Sequence, residues 1–189
     1  SASFADHKIA WYENDGDENF TTHTITTSAD GATSVYAIDV DGDGDMDVLS
    51  ASSADTSESK IDWYENDGNE NFTKIIISNT AVGARALAAA DMDNDGDMDL
   101  FVGVRMKPFN YGIPPSSYLL INDGHGKFTD ATTKIAQPLE KIGHVTDASW
   151  NDIDLDGDED LICGNTAGYV GYVENLDGGN QQRWANPVY

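Results

Sequence analysis

Short apolar runs separated by acidic, glycine-bearing segments make up the chain, and where a period is visible it is two rather than 3.6. Residues 34–38 form an apolar run entering an acidic segment, and 48–52 leave it. Across 60–65 the alternation puts Ile61, Trp63 and Glu65 on one face and Asp62 and Tyr64 on the other, as in a strand. Asn66-Asp67-Gly68 then offers positive-φ residues for a hairpin turn, and the β-branched, aromatic run 72–77 returns from it. The pattern predicts four short strands per unit and no helical stretch.

The unit recurs. The segment Trp11 to Thr21 (WYENDGDENFT) returns as Trp63 to Thr73 (WYENDGNENFT), with weaker copies at 120–129 and 173–178. The marker asparagines Asn14, Asn66, Asn122 and Asn175 are spaced by 52, 56 and 53 residues. A second marker, an aspartate at every other position, interleaves at 39–47, 91–99 and 152–160. Two unrelated markers with one period identify a tandem array, and four short strands in about 50 residues predict an all-β fold of β-propeller blades. A β-solenoid is the rival, but its rungs are usually shorter and lack such hairpins. The units fall at 9–30 (a half blade), 33–80, 85–136 and 145–189, within one array covering 1–189. That is about three and a half blades, fewer than the roughly four to eight of a closed ring. The chain is therefore expected to be part of a longer propeller or to complete its ring by self-association.

Charge sharpens this picture. Among 189 residues, 10 Lys and Arg face 34 Asp and Glu, a formal net charge of −24. Nucleic acid and anionic lipid would be repelled, and no apolar run approaches the ~18–20 residues of a membrane span. The single cysteine, Cys163, excludes an intrachain disulfide framework and a thiolate zinc cluster, and it reads as a buried small hydrophobe. No basic and apolar leader opens the sequence, so a secretory signal is absent or already removed.

Fifteen of the 34 acids are the aspartates of the three loops. In D-x-D-x-D-G-x-x-D, three carboxylates at alternate positions and a glycine that permits a sharp turn fold the chain around a hard cation, and the ninth residue closes the far side. Side chains at positions one, three, five and nine, with the carbonyl of position seven, form an oxygen-only donor set. That set favours Ca²⁺ over Zn²⁺ or Cu²⁺, and over Mg²⁺, which tolerates an all-carboxylate cage poorly. The EF-hand shares the opening but needs a glutamate at position 12 and flanking helices; Ser50, Val102 and Cys163 stand there instead, amid strand-like flanks. The plainer alternative, solvated acidic turns, is disfavoured by three copies in register.

These residues resemble the FG-GAP/VCBS-type blade of integrin α-subunit propellers and of secreted microbial repeat proteins, over 9–174. The resemblance implies that the loop joining a blade's first two strands holds Ca²⁺, three ions in all. The matching residues are Asp39, Asp41, Asp43, Asp45 and Asp47; Asp91, Asp93, Asp95, Asp97 and Asp99; and Asp152, Asp154, Asp156, Asp158 and Asp160. The phrase after the loop departs from the name-giving pattern, as Leu49-Ser50-Ala51 and Phe101-Val102-Gly103, without touching a ligand. The family spans adhesion receptors, lectins and enzyme-appended modules. The expectation is a non-enzymatic, calcium-binding module that presents a recognition surface, extracellular or at the cell surface, for a protein or glycan. A calcium-dependent lectin is the alternative, and a polysaccharide-acting enzyme a remoter one.

A meander sends the acidic loops and the Asn-Asp-Gly hairpins to one face and the remaining loops to the other. On that other face the segment 104–115 carries about four extra residues and concentrates Arg105, Lys107, Phe109 and Tyr111, with Arg85 nearby. Aromatic residues beside basic ones suit recognition of sugars or acidic peptides; an ordinary long turn is the plainer reading. Trp11 and Trp63 hold one place in the repeat, which favours packing between blades over sugar stacking. His7, His23, His125 and His144 share no repeat position, so a histidine site is not expected.

Overall fold

The structure is a computed structural model that describes residues 1–53, 59–106, 115–137, 139, 142–165 and 170–175. Among these the chain is almost entirely antiparallel β-sheet. The first sheet holds β1 (Ala2–Ser3), β2 (Lys8–Asn14) and β3 (Phe20–Thr26). The second holds β4 (Ala32–Ile38), β5 (Asp47–Ser52), β6 (Lys60–Asn66) and β7 (Phe72–Ser78). The third holds β8 (Ala84–Ala90), β9 (Asp99–Val104), β10 (Tyr118–Ile121) and β11 (Thr129–Asp130). The fourth holds β12 (Val145–Asn151), β13 (Asp160–Asn165) and β14 (Val170–Val173). Each is a meander in chain order.

Alternation along the strands decides what lies between the sheets. From the second sheet, Leu49, Ile61 and Trp63 join Leu87, Leu100, Val102 and Leu120 of the third in one buried cluster. The opposite side of the third sheet gives Phe101 and Leu119 to a cluster with Leu161, Cys163 and Val173 of the fourth, and Phe101 meets Trp150 edge to face at 6.3 Å. Between the first two sheets, Ile9 packs with Tyr64. Each side chain of this size removed from water is worth about 1.5–3 kcal/mol, so the sheets hold one another through these clusters. The leading strands are neighbours, with β8 beside both β4 and β12. A bulge interrupts β4, β8 and β12 at an equivalent place, at Ala32/Ser34, Ala84/Ala86 and Val145/Asp147. At the first of these, the Thr33 hydroxyl reaches Ala51 O and Ala84 O, both at 3.2 Å, tying the second sheet to the third.

Three expectations are corrected. The first sheet is not a half unit, because β1 pairs with β2, Ala2 opposite Ile9. A helical stretch is present: α1 (Thr132–Ile135) follows a β11 of only two residues. The cause is Thr132, whose hydroxyl donates to Asp130 Oδ1 at 2.7 Å and accepts from Leu119 N–H at 2.8 Å, so a side chain takes the place of the continuing strand. In the hairpins the asparagine and aspartate are not the positive-φ residues. Gly16, Gly68 and Gly124 are, with Glu18, Glu70 and Gly126 two positions later. The asparagines and aspartates act through their side chains: Asn66 Oδ1 accepts from Gly68 and Glu70 N–H, and Asp67 accepts from Asn69 and Asn71.

Candidate metal centre

The three acidic loops join β4 to β5, β8 to β9 and β12 to β13. Each curls around its first aspartate. Asp39 accepts from Gly42 and Gly44 N–H at 2.8 and 2.9 Å, Asp91 from Asp95 and Gly96 at 3.0 Å each, and Asp152 from Asp156 and Gly157 at 3.1 Å each. Two residues per loop adopt positive φ: the glycine at position six, and position four, occupied by Gly42, Asn94 and Leu155. At position four, Gly42 and Asn94 suit that conformation, whereas Leu155 carries no signal of it. Leu155, with φ 63° and 85% exposed, sits in a region that bulky side chains avoid.

This curl gathers carboxylate oxygens. Asp39, Asp41 and Asp43 come within 4.8 Å of one another, as do Asp91, Asp93 and Asp95, and in the third loop Asp152, Asp154 and Asp160. In the second loop Asp93 Oδ1 is buried with no hydrogen-bond partner. Burial and then the neighbouring Asp95 and Asp91 hold the Asp93 carboxyl above the usual range, and Asp154 is raised by desolvation and Asp156. An orphaned carboxylate oxygen among like charges, with only hard oxygen donors around it, fits a hard divalent cation.

The aspartates outside these triads do other work, and Asp160 does both. At position nine, Asp47, Asp99 and Asp160 are buried, and each bridges two backbone N–H groups across the sheet. Asp99 accepts from Met92 and Asn122 at 3.1 and 2.9 Å, Asp47 from Val40 and Asn66 at 3.1 and 2.7 Å, and Asp160 from Ile153 and Asn175 at 3.0 and 2.8 Å. The ninth aspartate therefore clasps the acidic loop to the marker asparagine of the hairpin, so both lie at one end of the sheet. Burial pushes the Asp99 carboxyl up to about 7 and raises that of Asp47, with the two N–H groups pulling the other way. At position seven, Asp45 and Asp97 lie over the hairpin glycines; a Cβ at Gly68 or Gly124 would stand 2.5 or 2.4 Å from their carboxylate oxygens. Asp158 is buried and accepts from Asn94 of the neighbouring loop at 3.4 Å. Asp156 accepts from Asp158 N–H at 3.0 Å and stays outside its own loop's triad. Positions 12 of the EF-hand pattern lie inside strands β5, β9 and β13, and no helix flanks the described loops.

Of the other candidates, Arg85 stands at the β8 bulge and Arg105 just beyond β9, both exposed; Ala84 pairs with Val104, so the two arginines share one end of the third sheet. Lys107, Phe109 and Tyr111 lie outside the described residues. Cys163 is buried in the core, its thiol pushed up to about 12 by that burial and then by Asp147. Trp63 is buried between sheets, whereas Trp11 is partly open and stacks on His23 at 4.1 Å.

Antiparallel meanders repeated in tandem, each with an acidic loop clasped to a hairpin, define a β-rich repeat module. A family model described as an FG-GAP-like repeat matches residues 1–50 and again 48–102, more than half of the sequence. The chain belongs to the FG-GAP-like repeat family. Its third acidic loop lies beyond the matched residues and repeats the curl and the position-nine clasp of the first two, but gathers Asp160 in place of the position-five carboxylate. No curated protein matches the sequence.

Proposed function

We propose that the chain is a calcium-binding, non-enzymatic β-propeller module that presents a recognition surface for a protein partner outside the cell. The observation that carries this is a threefold recurrence: a curled acidic loop gathers three carboxylates and is closed onto a hairpin by the buried aspartate at position nine, which in the third loop is itself one of the three. In the first loop Asp39, Asp41 and Asp43 would hold the ion, in the second Asp91, Asp93 and Asp95, in the third Asp152, Asp154 and Asp160. Bound calcium supplies positive charge that offsets carboxylate repulsion. The chain's own contribution is orientation: the first aspartate fixes the curl, the left-handed residues at positions four and six turn the backbone, and the ninth anchors the loop. Neighbouring leading strands and cores between successive sheets support the blade reading. FG-GAP repeats are typical of extracellular proteins, and among the described residues no helix is long and apolar enough to cross a membrane. There, millimolar calcium suits sites of about 10⁻⁴–10⁻³ M.

The outer side of the first sheet fits an array that takes further sheets. Tyr12 is 48% and Phe20 62% exposed, whereas Tyr64, at the same repeat position as Tyr12, is 1% exposed beneath the first sheet, and Phe72, the counterpart of Phe20, packs there too. This supports ring completion by another copy or by more blades of a longer chain. Thermal unfolding with calcium and with EDTA tests the calcium reading: an unchanged midpoint refutes it. Solution mass with and without calcium tests the association.

A further inference from the structure

At the junction of the second and third sheets, Trp63 is 4% exposed and lies against the hairpin of the next sheet, where a Cβ on Gly126 would come within 2.2 Å of its ring. One period earlier the same positions recur between the first and second sheets: Trp11 for Trp63, Met46 for Met98, Val48 for Leu100 and Phe72 for Phe128. The fourth residue after the marker asparagine differs, with Glu70 in place of Gly126. Glu70 keeps the left-handed backbone, φ 62°, but puts a side chain where the indole would rest. The junction consequently stays open as a cleft of about 300 Å³ lined by Trp11, Met46, Val48 and Phe72, with Asn66 and Glu70. Met46 is 56% exposed at its mouth.

We propose that this cleft binds the basic side chain, arginine or lysine, of a protein partner. An indole, a phenyl ring and a thioether give a wall for the aliphatic stem and a π surface for the charged end. Glu70 supplies a carboxylate, and among the described residues no Lys, Arg or His lines the cleft; His23 stacks on one face of Trp11 and leaves the other for the ligand. Asp47, which also lines it, already has both carboxylate oxygens engaged by Val40 and Asn66 N–H. The net charge of −24 draws cations to this surface and repels anionic ligands. The inference deepens the recognition reading above, because it names the chemistry of the partner, but the cleft walls come from strands and a hairpin and need no bound ion.

The test is an NMR titration in calcium, reading the Trp11 indole N–H, assigned with a Trp11→Phe variant. The probes are N-acetyl-arginine amide, N-acetyl-lysine amide, the neutral norleucine analogue and the acidic glutamate analogue. The expected result is a saturable shift with a basic probe, at least about fivefold weaker binding of norleucine, and none of glutamate. Glu70→Gln should weaken the basic probe about fivefold at an unchanged melting temperature. Glu70→Gly should let Trp11 seat as Trp63 does, abolishing the shift and raising the melting temperature. No saturable shift with either basic probe, norleucine binding as well as arginine, or undiminished binding by Glu70→Gly overturns the proposal. Calcium occupancy, read separately by thermal unfolding, can fail or hold without deciding this result.

Discussion

Replacing Asp99 by asparagine keeps the shape of the side chain and removes half of its function. Its two oxygens accept from Met92 and Asn122 N–H, and the residue is fully buried. The asparagine amide leaves one of those donors facing another donor. A buried donor without an acceptor costs about 1–3 kcal/mol, and the lost charge-assisted bond belongs to the stronger kind. Relief of the buried charge, the main reason the Asp99 carboxyl is held up, and of repulsion from Asp93 and Asp95 returns part of this. At pH 8, where Asp99 is ionised, the expected net loss is about 1–2 kcal/mol. The control is Asp97→Asn, two positions away in the same loop but outside the clasp, with an expected change within about 0.5 kcal/mol. Urea unfolding followed by tryptophan fluorescence, in calcium and in EDTA, measures both. The Asp99 penalty should persist in EDTA, because the clasp is made by backbone and side chain alone. A loss below about 0.5 kcal/mol, or one equal to that of Asp97→Asn, would refute the clasp as a structural element.

Three further outcomes are expected. Leu155→Gly should stabilise the protein by about 0.5–1 kcal/mol in chemical denaturation, since it relieves a left-handed leucine whose side chain is exposed. Gly83→Ala should lower the melting temperature clearly more than Gly143→Ala, because both have positive φ but only Gly83 would drive a Cβ into backbone, at the Met106 carbonyl. Without metal, stability should fall as pH rises from about 4 to 7: Asp99 titrates near 7 in the folded chain against about 3.9 unfolded, so the folded state binds more protons across that window. Denaturation midpoints at pH 5 and 7.5 in EDTA check the sign, and Asp99→Asn should flatten the slope.

Strands and acidic loops were legible because they rest on local regularities. The alternation at 60–65 and the β-branched run at 72–77 correspond to β6 and β7, and the period of the two markers separates the four sheets. Several features hang on contacts that no local pattern encodes. The short β11 and the helix α1 follow from Thr132 bonding Asp130 and Leu119, a tertiary substitution for strand pairing. The ninth aspartate reads from its spacing as a ligand and nothing more; only the fold reveals that its oxygens also clasp two backbone N–H groups, as those of Asp99 do. Leu155 gives no hint of a left-handed backbone, which the equivalent Gly42 and Asn94 would have suggested on alignment of the repeats. Trp11 and Trp63 are identical in the repeat, and their different burial depends on whether Glu70 or Gly126 faces them from the next sheet.

Calcium counting by isothermal titration, on the intact chain and on an Asp93→Ala variant, tests the central claim most directly. The account predicts three equivalents per chain with dissociation constants of about 10⁻⁴–10⁻³ M, and two in the variant. Heats indistinguishable from buffer, or an unchanged count in Asp93→Ala, would contradict it.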